Sequence, residues 1–279
     1  MRKLGETKLK LKSTVVAIFI ASEENSSIQG VGVDALVKDG LLKKLKQGPL
    51  FWIDTADKQP CIGTGGLIPW KLHVTGKLFH SGLPHKAINP LELAMEALKE
   101  IQLRFYKDFP PHPREQVYGF ATPSTMKPTQ WSWINQIPAE CRISGDVRLT
   151  PFYNITDVIK KLQEYVDDIN ANIEKLDTRG PVSKYVLPDE QLRGGFDTAN
   201  SGVACDLNSR GFQVLCKATG EVVGHVKPYS IIGSLPLIRE LQDEGYDVQI
   251  AGYGVCQHHL PIRRLIFHDY MRADTTEVY

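Results

Sequence analysis

Two kinds of strand are written into this chain, and no single sheet accommodates both. Residues 14–20, TVVAIFI, are apolar without interruption, the pattern of a strand covered on both faces in a parallel or mixed sheet. Residues 50–53, LFWI, repeat that pattern briefly and end at Asp54. Between them a helix is predicted over 34–46, with Ala35, Leu36, Leu41 and Leu42 apolar among lysines and Gly40 as an interruption. Residues 70–78, WKLHVTGKL, alternate instead. Leu72, Val74 and Leu78 fall on one face, and Lys71, His73, Thr75 and Lys77 on the other. That is a strand with one wet face, as in an antiparallel sheet.

The alternating grammar continues through the middle of the chain. Residues 87–106 read as a helix with Asn89 as N-cap and Pro90 in the first turn. Its apolar stripe runs through Leu91, Ala94, Met95, Leu98, Ile101 and Phe105. A Pro-rich loop over 109–130 precedes a strand at 141–149, CRISGDVRL, and a second helix at 155–177, with Ile159, Leu162, Val166, Ile169, Ile173 and Leu176 apolar. Helix and strand signals of the first kind return at 229–254, where a helix from Leu235 to Asp243 stops at Gly245. The expected division is 1–69 and 211–279 for one α/β domain, with 70–210 inserted as a smaller α+β domain.

Composition narrows the partners. A net charge of +1 gives no electrostatic case for nucleic acid or a membrane surface. No apolar run approaches the roughly 20 residues of a bilayer span. The five cysteines are scattered, with no C-x-x-C pair, which points to a reducing, cytoplasmic setting rather than a disulfide framework. The start, MRKLGETKLKLKSTVVAIFI, lacks the architecture of a secretory signal.

Chemistry gathers at strand ends. In open α/β sheets ligands bind beyond the carboxyl ends of strands, and both Glu23/Glu24 and Asp54 follow apolar runs. Taken alone, Glu23 and Glu24 read as a solvated acidic turn. Three neighbouring carboxylates would repel unless a cation held them. In a hydrolytic metal site one carboxylate binds the metal while its neighbour takes a proton from water. Asp57 is the competing acid. Asp146 and Arg148 lie two apart on one strand face; they make a surface ion pair, or Arg148 grips a substrate carboxylate.

Six blocks carry a resemblance: FIASEENSS (19–27), FWIDTADKQPCIGTGG (51–66), GKLFHSGLPHKAINPLE (76–92), INQIP (134–138), ISGDVRLTP (143–151) and PYSIIGSLPLIRELQDEGYDVQIAGYG (228–254). In this order they resemble the zinc metallohydrolase family that includes acetylornithine deacetylase, succinyl-diaminopimelate desuccinylase, carboxypeptidase G, aminoacylase and carnosinase. The resemblance is especially to acetylornithine deacetylases of the plant type. The resemblance implies an α/β fold: a zinc-hydrolase catalytic domain, incomplete in this chain, with a mixed sheet flanked by helices and interrupted by an α+β lid that dimerises.

By position, Glu23 resembles the general base, and Glu24 and Asp54 resemble ligands of two zinc ions, with cobalt as a possible substitute. His80 resembles the lid histidine that steadies the oxyanion in the partner subunit's site. Arg148 and Asn135 resemble substrate contacts. The implied reaction removes acetate from N-acetylornithine in arginine biosynthesis, within a homodimer acting on a small N-acyl amino acid. A dipeptide substrate and a non-catalytic product that keeps the dimerising lid are the alternatives.

The chain also departs from that pattern. The family's His-x-Asp motif and bridging Asp are not found, since none of the eight histidines is followed two residues later by Asp. After AGYG, only His258 and His259 fall near the place of the family's last ligand. The expectation is weak zinc binding, little turnover, and an exposed sheet edge beside Val15–Ile20.

Overall fold

The computed structural model describes residues 14–20, 32–55, 57–121, 123–128, 137–178, 199–235 and 237–252, with Glu6 and Leu11, and gives 129–130 and 192–196 by backbone alone. Among the described residues the chain forms two sheets with separate apolar cores. The elements are α1 (Val33–Lys38), β1 (Leu50–Thr55), β2 (Pro60–Thr64), β3 (Gly66–Thr75), α2 (Pro90–Asp108), α3 (Pro113–Val117), β4 (Thr125–Gln130) and β5 (Glu140–Leu149), followed by α4 (Ile155–Ala171), β6 (Leu192–Phe196), β7 (Val203–Ala204), α5 (Arg210–Val223), β8 (Tyr229–Ile231), α6 (Ile238–Asp243) and β9 (Val248–Gly252).

The first sheet is mixed, in the order β1-β9-β2-β7, with β8 also paired to β2. Parallel β1/β9 and β2/β8 pairs alternate with antiparallel β2/β9 and β2/β7 pairs. Its core holds Val33, Leu42, Ile238, Leu241, Val248 and Ile250. The second sheet is antiparallel throughout, in the order β4-β5-β3-β6. The predicted alternation appears in β3, where Ile68, Trp70, Leu72 and Val74 are buried and Lys71 is exposed. β5 answers with Cys141, Ile143, Val147 and Leu149. Helices α2 and α4 cover this apolar face.

Both helices are anchored by their predicted chemistry or its analogue. The Asn89 side chain accepts from Leu91 N at 3.2 Å, and Pro90 follows it. Asn154 caps α4 by accepting from Thr156 N at 2.8 Å. Each cap satisfies backbone N–H groups that the first helical turn cannot pair internally.

Several expectations are corrected. Residues 14–20 form no strand: Val15, Val16, Ile18 and Phe19 are exposed, Phe19 at 92%, and Ile20 alone packs against the core. Among the described residues β1 is an edge strand of the first sheet, with Phe51 and Ile53 exposed, so it is not buried on both faces; Asp54 lies inside it. An uninterrupted apolar run reads as buried only when both sheet faces and both neighbours are covered. The helix over 34–46 stops at Lys38, because Gly40 takes a left-handed conformation (φ +68°) and turns the chain.

β3 ends at Thr75, which leaves Leu78 exposed at 54%. In α2 the buried stripe is Leu93, Ala94, Ala97, Ile101 and Phe105, and Met95 faces outward. α4 stops at Ala171 rather than 177, and α6 begins at Ile238 rather than Leu235. The Pro-rich stretch contains α3 and β4, and α5 went unread.

The chain crosses between the sheets twice, at one place. Thr64, Gly65 and Gly66 carry it from β2 into β3, and Asn200 to Gly202 carry it back into β7. Leu67 and Asn200 exchange backbone hydrogen bonds of 2.8 and 2.9 Å. A Cβ on Gly202 would sit 2.5 Å from the Thr64 carbonyl oxygen, so the two crossings touch backbone to backbone.

Candidate functional site

Asp54 lies near the carboxyl end of β1, where the parallel strand β9 also finishes at Gly252. Strand alternation places Trp52 on the same side, and its indole N–H donates to Asp54 Oδ2 at 3.3 Å. The turn that follows is tightly held. Buried Gln59 accepts from Lys227 N at 2.6 Å and reaches toward the His225 carbonyl at 3.4 Å. Gly252 has no room for a side chain, since a Cβ there would meet the Thr55 and Asp57 carbonyl oxygens at 2.1 and 2.3 Å. Among the described residues the Thr55 and Tyr229 hydroxyls are buried here without a hydrogen-bond partner. Burial pushes the Tyr229 phenol above its ordinary value.

His80 stands in the exposed loop after β3. Its Nδ1 accepts from Gly82 N at 2.9 Å, and its carbonyl accepts from Leu83 N at 2.9 Å. A backbone N–H can only donate, so Nδ1 is unprotonated and the ring proton sits on Nε2. The loop is pinned on both sides, by the bridge of Phe79 to Ile137 and by that of Lys77 to Ile88. His80 therefore presents an N–H donor on a fixed base.

Arg148 and Asp146 lie on the face of β5 opposite the helices. Arg148 Nε donates to Asp146 Oδ2 at 2.6 Å, with both side chains partly exposed. This side-on contact engages Nε and orients the guanidinium plane. Next along that face, His73 Nε2 lies 2.7 Å from Glu140, which Arg142 also approaches at 3.1 Å. The His73 contact, helped by Arg142, holds the Glu140 carboxyl below its ordinary value.

Glu23, Glu24, Asn135, His258 and His259 lie outside the described residues. Among the described residues no group of three or more His, Cys, Asp or Glu side chains converges to hold a metal ion. Asp54 supplies one hard oxygen donor, where catalytic zinc takes about three protein ligands. The described donor set therefore does not by itself fit a zinc ion. The contact of Trp52 with Asp54 was not read from the sequence, although its signal, two residues apart on one strand face, was there.

The fold and its matches define the class. Residues 62–174 match the family described as peptidase dimerisation domain. In three dimensions the chain resembles an M20 family metallo-carboxypeptidase from Sulfolobus solfataricus, with a TM-score of 0.56, 16% identity, and coverage of 83% of this chain and 62% of that one. The fold is thus that of M20 family peptidases, and the middle of the chain matches a peptidase dimerisation domain.

The sequence relatives are more specific. The chain is 76% identical over 263 residues to acetylornithine deacetylase of Arabidopsis thaliana, covering 91% of this chain and 60% of the relative. It is 48% identical over 265 residues to acetylornithine deacetylase of Dictyostelium discoideum, covering 90% of this chain and 59% of the relative. It thus spans about 60% of the length of the curated relatives it matches. Among the described residues no helix is long and apolar enough to cross a membrane.

Proposed function

We propose that this chain is a deacetylase-type amide hydrolase that converts N-acetylornithine and water to acetate and ornithine. The observation that carries the reading is the 76% identity to the Arabidopsis acetylornithine deacetylase across 91% of the chain.

In this reading Glu23 removes a proton from the attacking water and delivers it to the departing amine as the amide C–N bond breaks. The Nε2–H of His80, held by the Nδ1 contact with Gly82, donates to the oxygen that gains negative charge. Such a donor contributes about 3 kcal/mol to the barrier reduction. Arg148 keeps its terminal nitrogens turned to the substrate carboxylate while Asp146 engages Nε, and Asn135 adds a polar contact. Glu24 and Asp54 would hold zinc, two ions in all with further ligands, and cobalt would substitute; the metal supplies Lewis acidity.

The lid, residues 70–210, pairs two chains into a homodimer in which His80 serves the partner's site. Residues 1–69 and 211–279 form the catalytic part. The setting is cytoplasmic, with reduced thiols. A second reading, a non-catalytic product whose lid still pairs, is favoured by the dimerisation match at residues 62–174. Acetate release from N-acetylornithine, measured with sedimentation of the same sample, tests both. Release abolished by Glu23→Gln supports the enzyme, and a dimer with no release supports the alternative.

A further inference from the structure

Between α2 and β4, residues 110–124 do something that neither sheet requires of them. The segment is fastened to the end of the antiparallel sheet. Thr150, just after β5, donates through Oγ1 to buried Glu115 at 2.8 Å, and its N–H donates to Ser124 Oγ at 3.2 Å. Arg114 stacks over the Phe152 ring at 4.7 Å, and Tyr153 O–H donates to the Pro110 carbonyl.

From that anchorage the segment reaches the other sheet. Tyr118, 6% exposed, donates its O–H to the Cys205 carbonyl beyond β7 at 2.8 Å. Its own carbonyl accepts from Ser230 Oγ of β8 at 2.5 Å. The Phe120 ring lies over Gly63 of β2, close enough that a Cβ there would meet it at 2.9 Å. Two strands of the mixed sheet, and the residue just after a third, are thus gripped by two residues from the lid side.

The covalent crossings lie elsewhere, at Gly65–Gly66 and Gly202, and form a narrow two-stranded joint. A joint of that kind fixes position but resists rotation weakly. We propose that Tyr118–Phe120 is a strap that sets the angle between the two sheets, and that its release lets the lid pivot on the glycine crossing. The loop of His80 would then move relative to Asp54, because each belongs to a different sheet.

The test places two spin labels on the full chain, at Leu103→Cys on α2 and Val222→Cys on α5, both exposed in the native protein. Cys216, which is half-buried, and Cys256 are changed to Ser first. The parent should give one narrow distance distribution. Tyr118→Phe combined with Phe120→Ala should broaden it about twofold, or split it, with the far-ultraviolet circular dichroism unchanged. An unchanged distribution in a natively folded double variant overturns the strap. If the double variant does not fold, the single variants Tyr118→Phe and Ser230→Ala carry the test, and an unaltered distribution in both overturns it equally.

Discussion

Arg148 donates through Nε to Asp146 Oδ2 at 2.6 Å, along one face of β5 and two residues apart. The pair is partly exposed, at 35% and 25% for the two side chains, so its contribution to stability is small, about 0–1 kcal/mol. Its consequence is orientation. Arg148→Ala should raise KM for an N-acyl amino acid about 10- to 100-fold with a smaller effect on kcat. Asp146→Asn should raise KM less, and Arg148→Lys should not rescue, since an ammonium lacks the planar fork. Steady-state kinetics on these variants decide it, and equal KM in all of them would remove Arg148 from the substrate.

The core of the antiparallel sheet makes a sharper demand at Gly145. It pairs with Trp70 across β3 and β5, and a Cβ there would lie 2.2 Å from the Lys127 carbonyl oxygen and 2.3 Å from the indole. One of these neighbours is backbone and the other is buried in the core, so neither yields cheaply. Gly145→Ala should destabilise the chain by about 1–3 kcal/mol. Urea unfolding measures it, and an unchanged midpoint would contradict the packing.

Asn89 makes a separate, smaller contribution. Its side chain caps a 19-residue helix, and Asn89→Ala should cost about 1 kcal/mol. Asn89→Asp should keep the cap and the stability. Both are read from the same unfolding curves, and equal loss in the two variants would deny a capping role.

Burial pushes the Cys61 and Cys205 thiols from an ordinary value of 9.0 up to about 12. Both are buried in the mixed-sheet core, so thiol reagents at pH 8 should leave them untouched until the chain unfolds. The same shift has a stability consequence. Between pH 9 and 12 the unfolded chain has released these protons while the folded chain retains them, so folding stability falls as pH rises through that window. It is fully present below pH 9. Urea midpoints at pH 8 and 10.5 should differ accordingly, and rapid labelling of both thiols in native conditions would refute the burial.

Much of the antiparallel half was legible because its physics is local. A sheet with one wet face imposes a period of two, so Leu72 and Val74 announced β3, and Asn89–Pro90 announced the start of α2. The mixed half was harder. Helix α5 segregates its apolar residues as clearly as α4 does, but Gly211 and Gly220 inside it argue locally against a helix. The run at 14–20 looked like a core strand, yet burial depends on neighbours that a local pattern does not report. Asp54 and Arg148 were legible from their places on strands and their roles from the resemblance, whereas Tyr118 bonding to Cys205, 87 residues away, could not be seen in a linear reading.

The most direct measurement is acetate release from N-acetylornithine by this chain supplied with zinc, beside an N-acetyl amino acid panel and a dipeptide. The account expects slow turnover with N-acetylornithine preferred, and its loss in Glu23→Gln. Faster cleavage of the dipeptide, or acetate release that survives Glu23→Gln, would contradict it.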